Sequence, residues 1–501
     1  MDWGSVFSSI FSPMSLLMMN VGMAAGIIIG ALPGLNTVFA IAVLLPITFG
    51  MESTQGMYLL LGTYCGAVFG GSITAILVNT PGTPAACATV FDGYPLAQKG
   101  RAGDALKTAL VASTVGGVIS CLSLIFLAPQ LAKVALSFQA PEFFALCIFG
   151  MSAAIGIAGD KILKGLVMVV LGLFLSTVGI DSTEGIQRFM FGNAHLLAGI
   201  KPVTVMLGIF ALSEILVKCK EVVRPEGTGS IKVNYQKATI RVTEILKYWK
   251  TLLRSSIFGI IIGAVPGTGS AITAMLSYNE ARRASKHPEE FGQGCIEGIV
   301  APESGNNATT GATLIPLLTL GIPGDAAVAV LLGALTMQNI IPGPSLFASN
   351  NIWVYCIMGG LMLINIFMFI QGSVFIKALV NIVKVPVVIL LPCILMLSTI
   401  GSFAISNVIF DVSVMLVFGL IGYFMKTNDF PFPPLIIALV LGNYMETNLR
   451  RSLILSKGSV AIFFTRPICT VILVVAILSL VYPAIKSMMG KVRMIKSAGS
   501  N

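Results

Sequence analysis

Residues Leu77 to Ala86 read L-V-N-T-P-G-T-P-A-A and close a long apolar run that carries neither Lys nor Arg. Pro81 and Pro84 each remove a backbone donor and Gly82 loosens the chain, so a helix arriving here must stop and restart. Asn79, Thr80 and Thr83 cluster around that break. Backbone groups freed in this way cannot stay unpaired in hydrocarbon, so such a segment belongs where it is buried in protein or lines a watery cavity.

The surroundings are those of a membrane. The chain has 501 residues, 56% of them hydrophobic and only 10% charged, with a mean hydropathy of +0.92. That excludes an ordinary soluble globule. Apolar runs of about 17 to 25 residues, the length that spans a hydrocarbon core, recur throughout and predict an all-α polytopic protein. The excess of 31 Lys and Arg over 21 acids sits in short connections between apolar runs, which marks topology and not a nucleic-acid surface. Nine cysteines are scattered singly without a C-x-x-C pair and are expected to pack as small apolar residues. Two distant histidines, His195 and His287, suggest no metal site beyond a sodium site, and no cofactor is expected. The amino terminus lacks the basic region of a secretory signal, so no cleavage is expected.

The break at Leu77 to Ala86 has counterparts. G-A-L-P-G-L-N (Gly30 to Asn36) and N-T-P-G-T (Asn79 to Thr83) are echoed by G-A-V-P-G-T-G (Gly263 to Gly269) and G-I-P-G-D (Gly321 to Asp325). The offsets are 233 and 242 residues, so the chain is duplicated. Charge indicates how the halves sit. The connection G-M-E-S-T-Q-G after the first break has no basic residue, whereas its counterpart holds Arg282, Arg283 and Lys286. After the second break the bias reverses: Lys99, Arg101 and Lys107 follow in the first half, and none occurs from Gln338 to Asn351. Basic loops stay in the cytoplasm, so the repeats are expected to be inverted.

Arg254 and Arg282 bracket a segment, Ser255 to Asn279, whose 25 residues are too few for two crossings. It is expected to be a re-entrant hairpin with its tip near Pro266-Gly267, and inversion makes Met18 to Phe49 its partner, with a tip at Pro33-Gly34. Full-length helices kinked at proline are the simpler alternative. The resulting division is a first repeat over 1–217 (hairpin about 18–49, broken helix about 56–95), a basic cytoplasmic linker over 218–254, and a second repeat over 255–458 (hairpin 255–279, broken helix about 292–340). A last span and a basic cytoplasmic tail occupy 459–501, and the amino terminus is expected to be periplasmic. Within the linker, Val242 to Leu253 is amphipathic enough for a membrane surface, with a solvated connection as the alternative. Arg450, Arg451 and Lys457 fall where this count puts the outside; they line a polar cavity or a span is miscounted.

Each half-helix beyond a Pro-Gly turns free N–H groups and a partial positive charge toward the break, which suits a carboxylate, while the carbonyls on the other side suit a cation. The candidate binding residues are Pro33, Gly34, Asn36 and Thr37; Asn79, Thr80, Pro81, Gly82 and Thr83; Pro266, Gly267, Thr268 and Ser270; and Pro323, Gly324 and Asp325. The polar run A-P-E-S-G-N-N-A-T-T-G-A-T (Ala301 to Thr313) adds Glu303, Ser304, Asn306 and Asn307. An acid is expensive there, so Glu303 is a sodium or proton site, or else a structural cap. Asp325 caps the following half-helix or ligates an ion. The glycines Gly66, Gly70 and Gly71 indicate close helix packing. No G-x-x-x-x-G-K-[ST] occurs, so this chain does not hydrolyse ATP and a gradient must drive transport.

Together G-A-L-P-G-L-N, Y-C-G-A-V-F-G-G-S-I-T-A-I-L-V-N-T-P-G-T-P, D-G-Y-P-L-A-Q-K-G, A-P-E-S-G-N-N-A and the late N-L-R-R-S-L-I-L-S-K-G resemble the large, TctA-like membrane subunit of tripartite tricarboxylate transporters over nearly the whole chain. The resemblance implies a bacterial inner-membrane importer of tri- or dicarboxylates such as citrate, a symporter using sodium or protons. It implies a small membrane subunit and a periplasmic binding protein as partners, an elevator-like motion, and no enzyme activity. Where this chain has Arg450-Arg451 the family commonly has one Arg and a polar residue. An ion channel, a carboxylate transporter independent of a binding protein, and a membrane-embedded enzyme are the competing readings.

Overall fold

The computed structural model describes residues 3–32, 35–157, 161–181, 184–223, 238–266, 269–348, 351–382 and 387–481. The first half contains α1 (Trp3–Ile10), α2 (Pro13–Gly30), α3 (Thr37–Leu44), α4 (Ser53–Val78), α5 (Val90–Leu96), α6 (Ala102–Ala135), α7 (Ala140–Ile157), α8 (Ile162–Ser176), a hairpin of β1 (Gly179–Ile180) and β2 (Gln187–Arg188), α9 (Pro202–Met206) and, after one π-helical turn and a half, α10 (Ser213–Val223). The second contains α11 (Val242–Leu246), α12 (Trp249–Gly263), α13 (Gly269–Ala284), α14 (Ile296–Ala312), α15 (Leu314–Leu320), α16 (Ala326–Met337), α17 (Ser345–Ala348), α18 (Ile352–Ile382), α19 (Val387–Ala404), α20 (Ile409–Thr427), α21 (Phe432–Leu455) and α22 (Ile462–Thr465). A last apolar helix, α23, covers Pro467–Val481.

This is an all-α polytopic membrane protein whose one described sheet is the two-residue ladder in the α8–α9 connection. Among the described residues six helical stretches are long and apolar enough to cross a membrane, and shorter apolar helices lie between them. Their burial differs: 94% of the apolar window of α4 is covered by protein, against 33% for α20. A helix apolar on all sides belongs in the core or in lipid, and these two illustrate the alternatives.

Backbone proximity orders the core. A Cβ on Gly22, Gly26 or Gly30 would lie 2.1, 2.4 and 2.4 Å from the carbonyl oxygens of Leu59, Thr63 and Ala67. Gly62, Gly66 and Gly70 answer from α4, where a Cβ would approach the carbonyls of Met19, Met23 and Ile27 at 2.8, 2.5 and 2.5 Å. Small residues at every fourth position let two helices meet backbone to backbone, and the rising numbers make α2 and α4 parallel. The second half repeats this arrangement. A Cβ on Gly259 would lie 2.4 Å from the Gly305 carbonyl oxygen, and one on Gly263 would lie 2.9 Å from Ala312, so α12 and α14 are also parallel.

The two pairs run in opposite directions. Tyr64 of α4 meets Thr313 just beyond α14, whereas Ala85 and Thr89, further along the chain, meet Asn306 and Glu303 earlier in α14. Likewise α6 and α18 are antiparallel: Gly117 faces Asn365 and Leu110 faces Gly372. Each matched helix of the second half therefore points the other way from its counterpart.

Both hairpins return to the end from which they start. Glu297 accepts hydrogen bonds from Thr251 at the start of α12 (2.5 Å) and from Ser285 just after α13 (3.0 Å). Val6, ahead of α2, touches Cys356, whose carbonyl accepts from Tyr58, and Thr48, just after α3, packs at Gly56; both contacts lie at the amino end of α4. The arms run over 13–48 and 249–284, against the expected 18–49 and 255–279.

A second group of helices, α7–α10 and α19–α21, packs mainly within itself: α21 lies on α7 and α8, and α20 on the α9–α10 helix. Contact between the groups runs through α3 and α16, while α13 and the Pro84–Leu96 stretch pack on α14 and on each other. Helices α10 and α12 take up both ends of the expected linker. Ile240, Ile245 and Leu252 are buried against Val111, Ala112 and Val300, while Leu246, Trp249 and Leu253 stay exposed, so the 242–253 segment is only partly covered by protein. Asp104 anchors this return, accepting from the backbone N–H groups of Thr239 (2.6 Å) and Ile240 (2.9 Å).

Candidate functional site

The broken helices need partners for their freed backbone groups, and each half supplies them to the other. α4 ends with Asn79 in the left-handed region (φ 58°), and the chain turns so that the Gly82 N–H donates to the Gly71 carbonyl (3.1 Å). A Cβ on Gly82 would lie 2.2 Å from the Gly30 carbonyl oxygen, which places this break against the end of α2. Asn79 and Thr80 are exposed, Pro81 is half-buried, and Thr83 is buried with its Oγ1 lacking a hydrogen-bond partner. The outgoing segment, a 3-10 turn over Pro84–Ala86, is held by the second half, with the Asn306 amide donating to the Ala85 carbonyl (2.9 Å).

Glu303 lies at the centre of this contact. Its carboxylate is fully buried and accepts from the Thr89 hydroxyl and from Ser113 on α6 (2.8 Å). Among the described residues no Lys, Arg or His forms an ion pair with it. Asn307 donates to Asn306 Oδ1 (2.5 Å) and to the Glu303 carbonyl (3.1 Å), which leaves its own buried Oδ1 without a partner. Ser304 is turned back to the Val300 carbonyl (2.8 Å), one turn earlier in its own helix. Ser277 Oγ, facing Gly305 from α13, is a further buried oxygen without a partner. Glu303 is thus a carboxylate surrounded by neutral hydroxyl and amide groups, a set that fits a proton or a hard cation with oxygen ligands.

Asp325 is placed differently. Its Oδ1 accepts from the Val328 N–H (2.8 Å) as the N-cap of α16, and its Oδ2 accepts from Tyr64 (3.0 Å), which also bonds Thr313. Both oxygens are engaged in holding the fourth break, the cap role weighed from sequence. Thr313 is ten residues beyond Glu303, about 15 Å along a helix, so the acids occupy two separate centres. Gly324 is packed on Thr313, where a Cβ would come within 2.8 Å, and Pro323 precedes it in the same turn.

At the hairpin tips Asn36 caps α3 by accepting from the Phe39 N–H (2.8 Å), with Thr37 buried behind it. Pro266 and Ser270 flank the second tip and are half-buried. Pro33, Gly34, Gly267 and Thr268 lie outside the described residues. The packing role expected of Gly66 and Gly70 is what they perform against α2, and Gly71 instead adjoins Thr83.

Sequence reasoning missed Tyr64, Thr89, Ser113 and Asp92. Asp92, in the D-G-Y-P motif, accepts through Oδ1 from the backbone N–H groups of Gly292 (2.9 Å), Gly294 (2.8 Å) and Cys295 (2.7 Å), and through Oδ2 from Tyr278 (2.8 Å). It ties the first half to the start of α14 and so sets the position of Glu303 relative to Thr89. An acid inside a G- and P-rich turn was the available signal.

Arg450 is accounted for by an ion cluster: it pairs with Asp181 (3.0 Å), Glu184 (3.0 Å) and Glu446 (2.8 Å), and Arg188 joins Glu446 (3.0 Å) and Asp181 (3.6 Å). The hydrogen bonds to Glu446 push the Arg188 guanidinium above its ordinary value, against partial burial. Arg451 lines a cleft.

A family model described as the tripartite tricarboxylate transporter TctA family matches residues 16–437. A protein of Agrobacterium vitis described as "Uncharacterized 52.8 kDa protein in TAR-I ttuC' 3'region" is 37% identical over 490 residues, 97% of each chain. A second from the same organism, "Uncharacterized protein in TAR-II ttuC' 3'region", is 35% identical over 232 residues, 46% of this chain and 96% of that one. No solved structure matches.

Proposed function

The chain belongs to the tripartite tricarboxylate transporter TctA family, and from that premise we propose that it is a secondary-active importer of small di- or tricarboxylates in which Glu303 carries the coupling proton or sodium ion. It is a multi-pass membrane transport protein; the bacterial inner membrane, the small membrane subunit and the periplasmic binding protein are part of the proposal.

The observation that carries the cation role is the burial of Glu303 among neutral groups. An ionised carboxylate taken out of water costs several kcal/mol unless a positive charge accompanies it. A proton or sodium ion supplies that charge; Asn307 Oδ1, four residues on from Glu303, is a buried oxygen free to serve, and Thr83 Oγ1 is another on the segment that leads to Thr89. The transported carboxylate is assigned to the breaks, where Asn79 and Thr80 are exposed at the carboxyl end of α4 and the half-helices α3 and α16 begin at Asn36 and Asp325. An elevator-like exchange is supported by the two packing groups joined through α3 and α16: their inverted counterparts, α13 and the Pro84–Leu96 stretch, offer a second surface of the same kind.

The test is accumulation of labelled carboxylates in vesicles that hold this chain and its small partner. Accumulation should require a sodium or proton gradient and the periplasmic protein; accumulation sustained by ATP without a gradient would overturn the reading. Sidedness is checked separately. In a cysteine-less background, cysteines at Glu52 and Ser345 should react with an impermeant thiol reagent from the periplasm, and cysteines at Gln98 and Ala284 should be protected. Labelling of Glu52→Cys and Ala284→Cys from one side would remove the inverted arrangement across the membrane.

A further inference from the structure

Two clefts open beside the carboxyl end of α16. One, of about 450 Å³, is bounded by Gly321 and Ile322 at the fourth break and by one face of α21 carrying Asn443, Thr447, Asn448 and Arg451. The other, of about 600 Å³, is lined by Arg188, Lys201 and Asn339, and the two share Thr336, Val440 and Asn443. Volumes of this size suit small organic ligands.

The cations around them are not equivalent. Arg188 and Arg450 are matched by Asp181, Glu184 and Glu446, three acids against two bases, and Lys201 is matched by Asp411 (3.4 Å). That wall carries no spare positive charge. Among the described residues Arg451 has no carboxylate within ion-pair distance, although it stands on the same helix as Glu446. Glu446 is turned to Arg450 one helical turn on and to Arg188, whereas Arg451 emerges on the face shared by Asn443, Thr447 and Asn448. An unmatched guanidinium above a mixed apolar and amide surface is complementary to a small carboxylate, which it can bind through two parallel hydrogen bonds.

We propose that this cleft is a carboxylate-binding site separate from the Glu303 centre, in which Arg451 pairs with one carboxylate of a small aliphatic di- or tricarboxylate and the exposed Asn443 faces the remainder. The identification of that anion as cargo rests on the transport reading; the binding site does not. It adjoins the chain that leads through Gly321 and Ile322 to Asp325, so it is a station next to the fourth break.

The test uses the full chain with a single cysteine at Thr447, in nanodiscs of phosphatidylcholine. Citrate, succinate or acetate is added and the rate of maleimide labelling is followed. At least one of the first two should slow labelling several-fold more than acetate, and Arg451→Gln should remove the protection while Arg451→Lys keeps part of it. No protection by any of the three, or equal protection in Arg451→Gln, overturns the site. If labelling is slowed only when phosphatidylglycerol replaces part of the lipid, the cleft takes a lipid headgroup and the proposal fails. In vesicles, Arg451→Gln should raise the KM for the protecting anion about tenfold, the loss of one charge-assisted contact. Wild-type protein that binds but never accumulates carboxylate would sink the transport reading alone, and transport with an unchanged KM in Arg451→Gln would sink this site alone.

Discussion

Glu303→Gln is expected to leave the protein folded in the membrane and to uncouple carboxylate movement from the ion gradient. Glutamine keeps the shape, its oxygen still accepts one of the hydroxyls of Thr89 and Ser113, and its amide donates to the other. What disappears is the negative charge that calls for a cation. Each elementary charge moved down 100 mV is worth about 2.3 kcal/mol, or about a fiftyfold concentration ratio. The accumulation ratio in vesicles should therefore fall by roughly that factor per lost charge, while exchange of labelled for unlabelled carboxylate continues. Undiminished, cation-dependent accumulation would remove Glu303 from the coupling role. Glu303→Ala separates the cap from the carrier: it leaves two buried hydroxyls unpaired and is expected to lower the melting temperature, which Gln does not.

The second large effect is expected at the glycine seam. A Cβ at Gly66 would lie 2.5 Å from the Met23 carbonyl oxygen and 2.9 Å from the Ile27 nitrogen, both backbone atoms that cannot turn aside. Gly66→Val must push α2 off α4, and overpacking a close contact costs about 1–3 kcal/mol even where side chains can adjust. Here the cost is expected at or above the top of that range. The variant should lose most of its folded yield or melt at least several degrees lower in detergent. Gly156→Val is the control, since a Cβ there meets nothing within 4 Å. Equal melting of the two variants would show that the seam is not the close contact described.

The polar run Ala301–Thr313 showed in sequence that an acid lay in an apolar setting, but not that it would be enclosed by a hydroxyl from the segment beyond the first half's broken helix and another from α6. Thr89 and Ser113 are 214 and 190 residues away and look like any hydroxyl in an apolar helix. Asp325 was legible as an acid after Pro-Gly, yet its role depended on Tyr64, 261 residues earlier. The arginine pair was recognisably out of place outside, and only the return of the β1–β2 loop onto α21 told its members apart.

The sequence by itself determined the membrane setting, the helical class, the duplication, the positions of the breaks and, through the placement of Lys and Arg, the expectation of inversion. These follow from local rules: apolar length against bilayer thickness, the missing donor of proline, and the preference of basic loops for one side. The tertiary structure decided that each half holds the other's broken helix, that Glu303 and Asp325 form separate centres, and that Arg451 differs from Arg450. Such roles depend on which side chains from distant segments meet a given oxygen or guanidinium. A buried group's chemistry is set by those neighbours and by the water they exclude, and neither is a property of spacing along the chain.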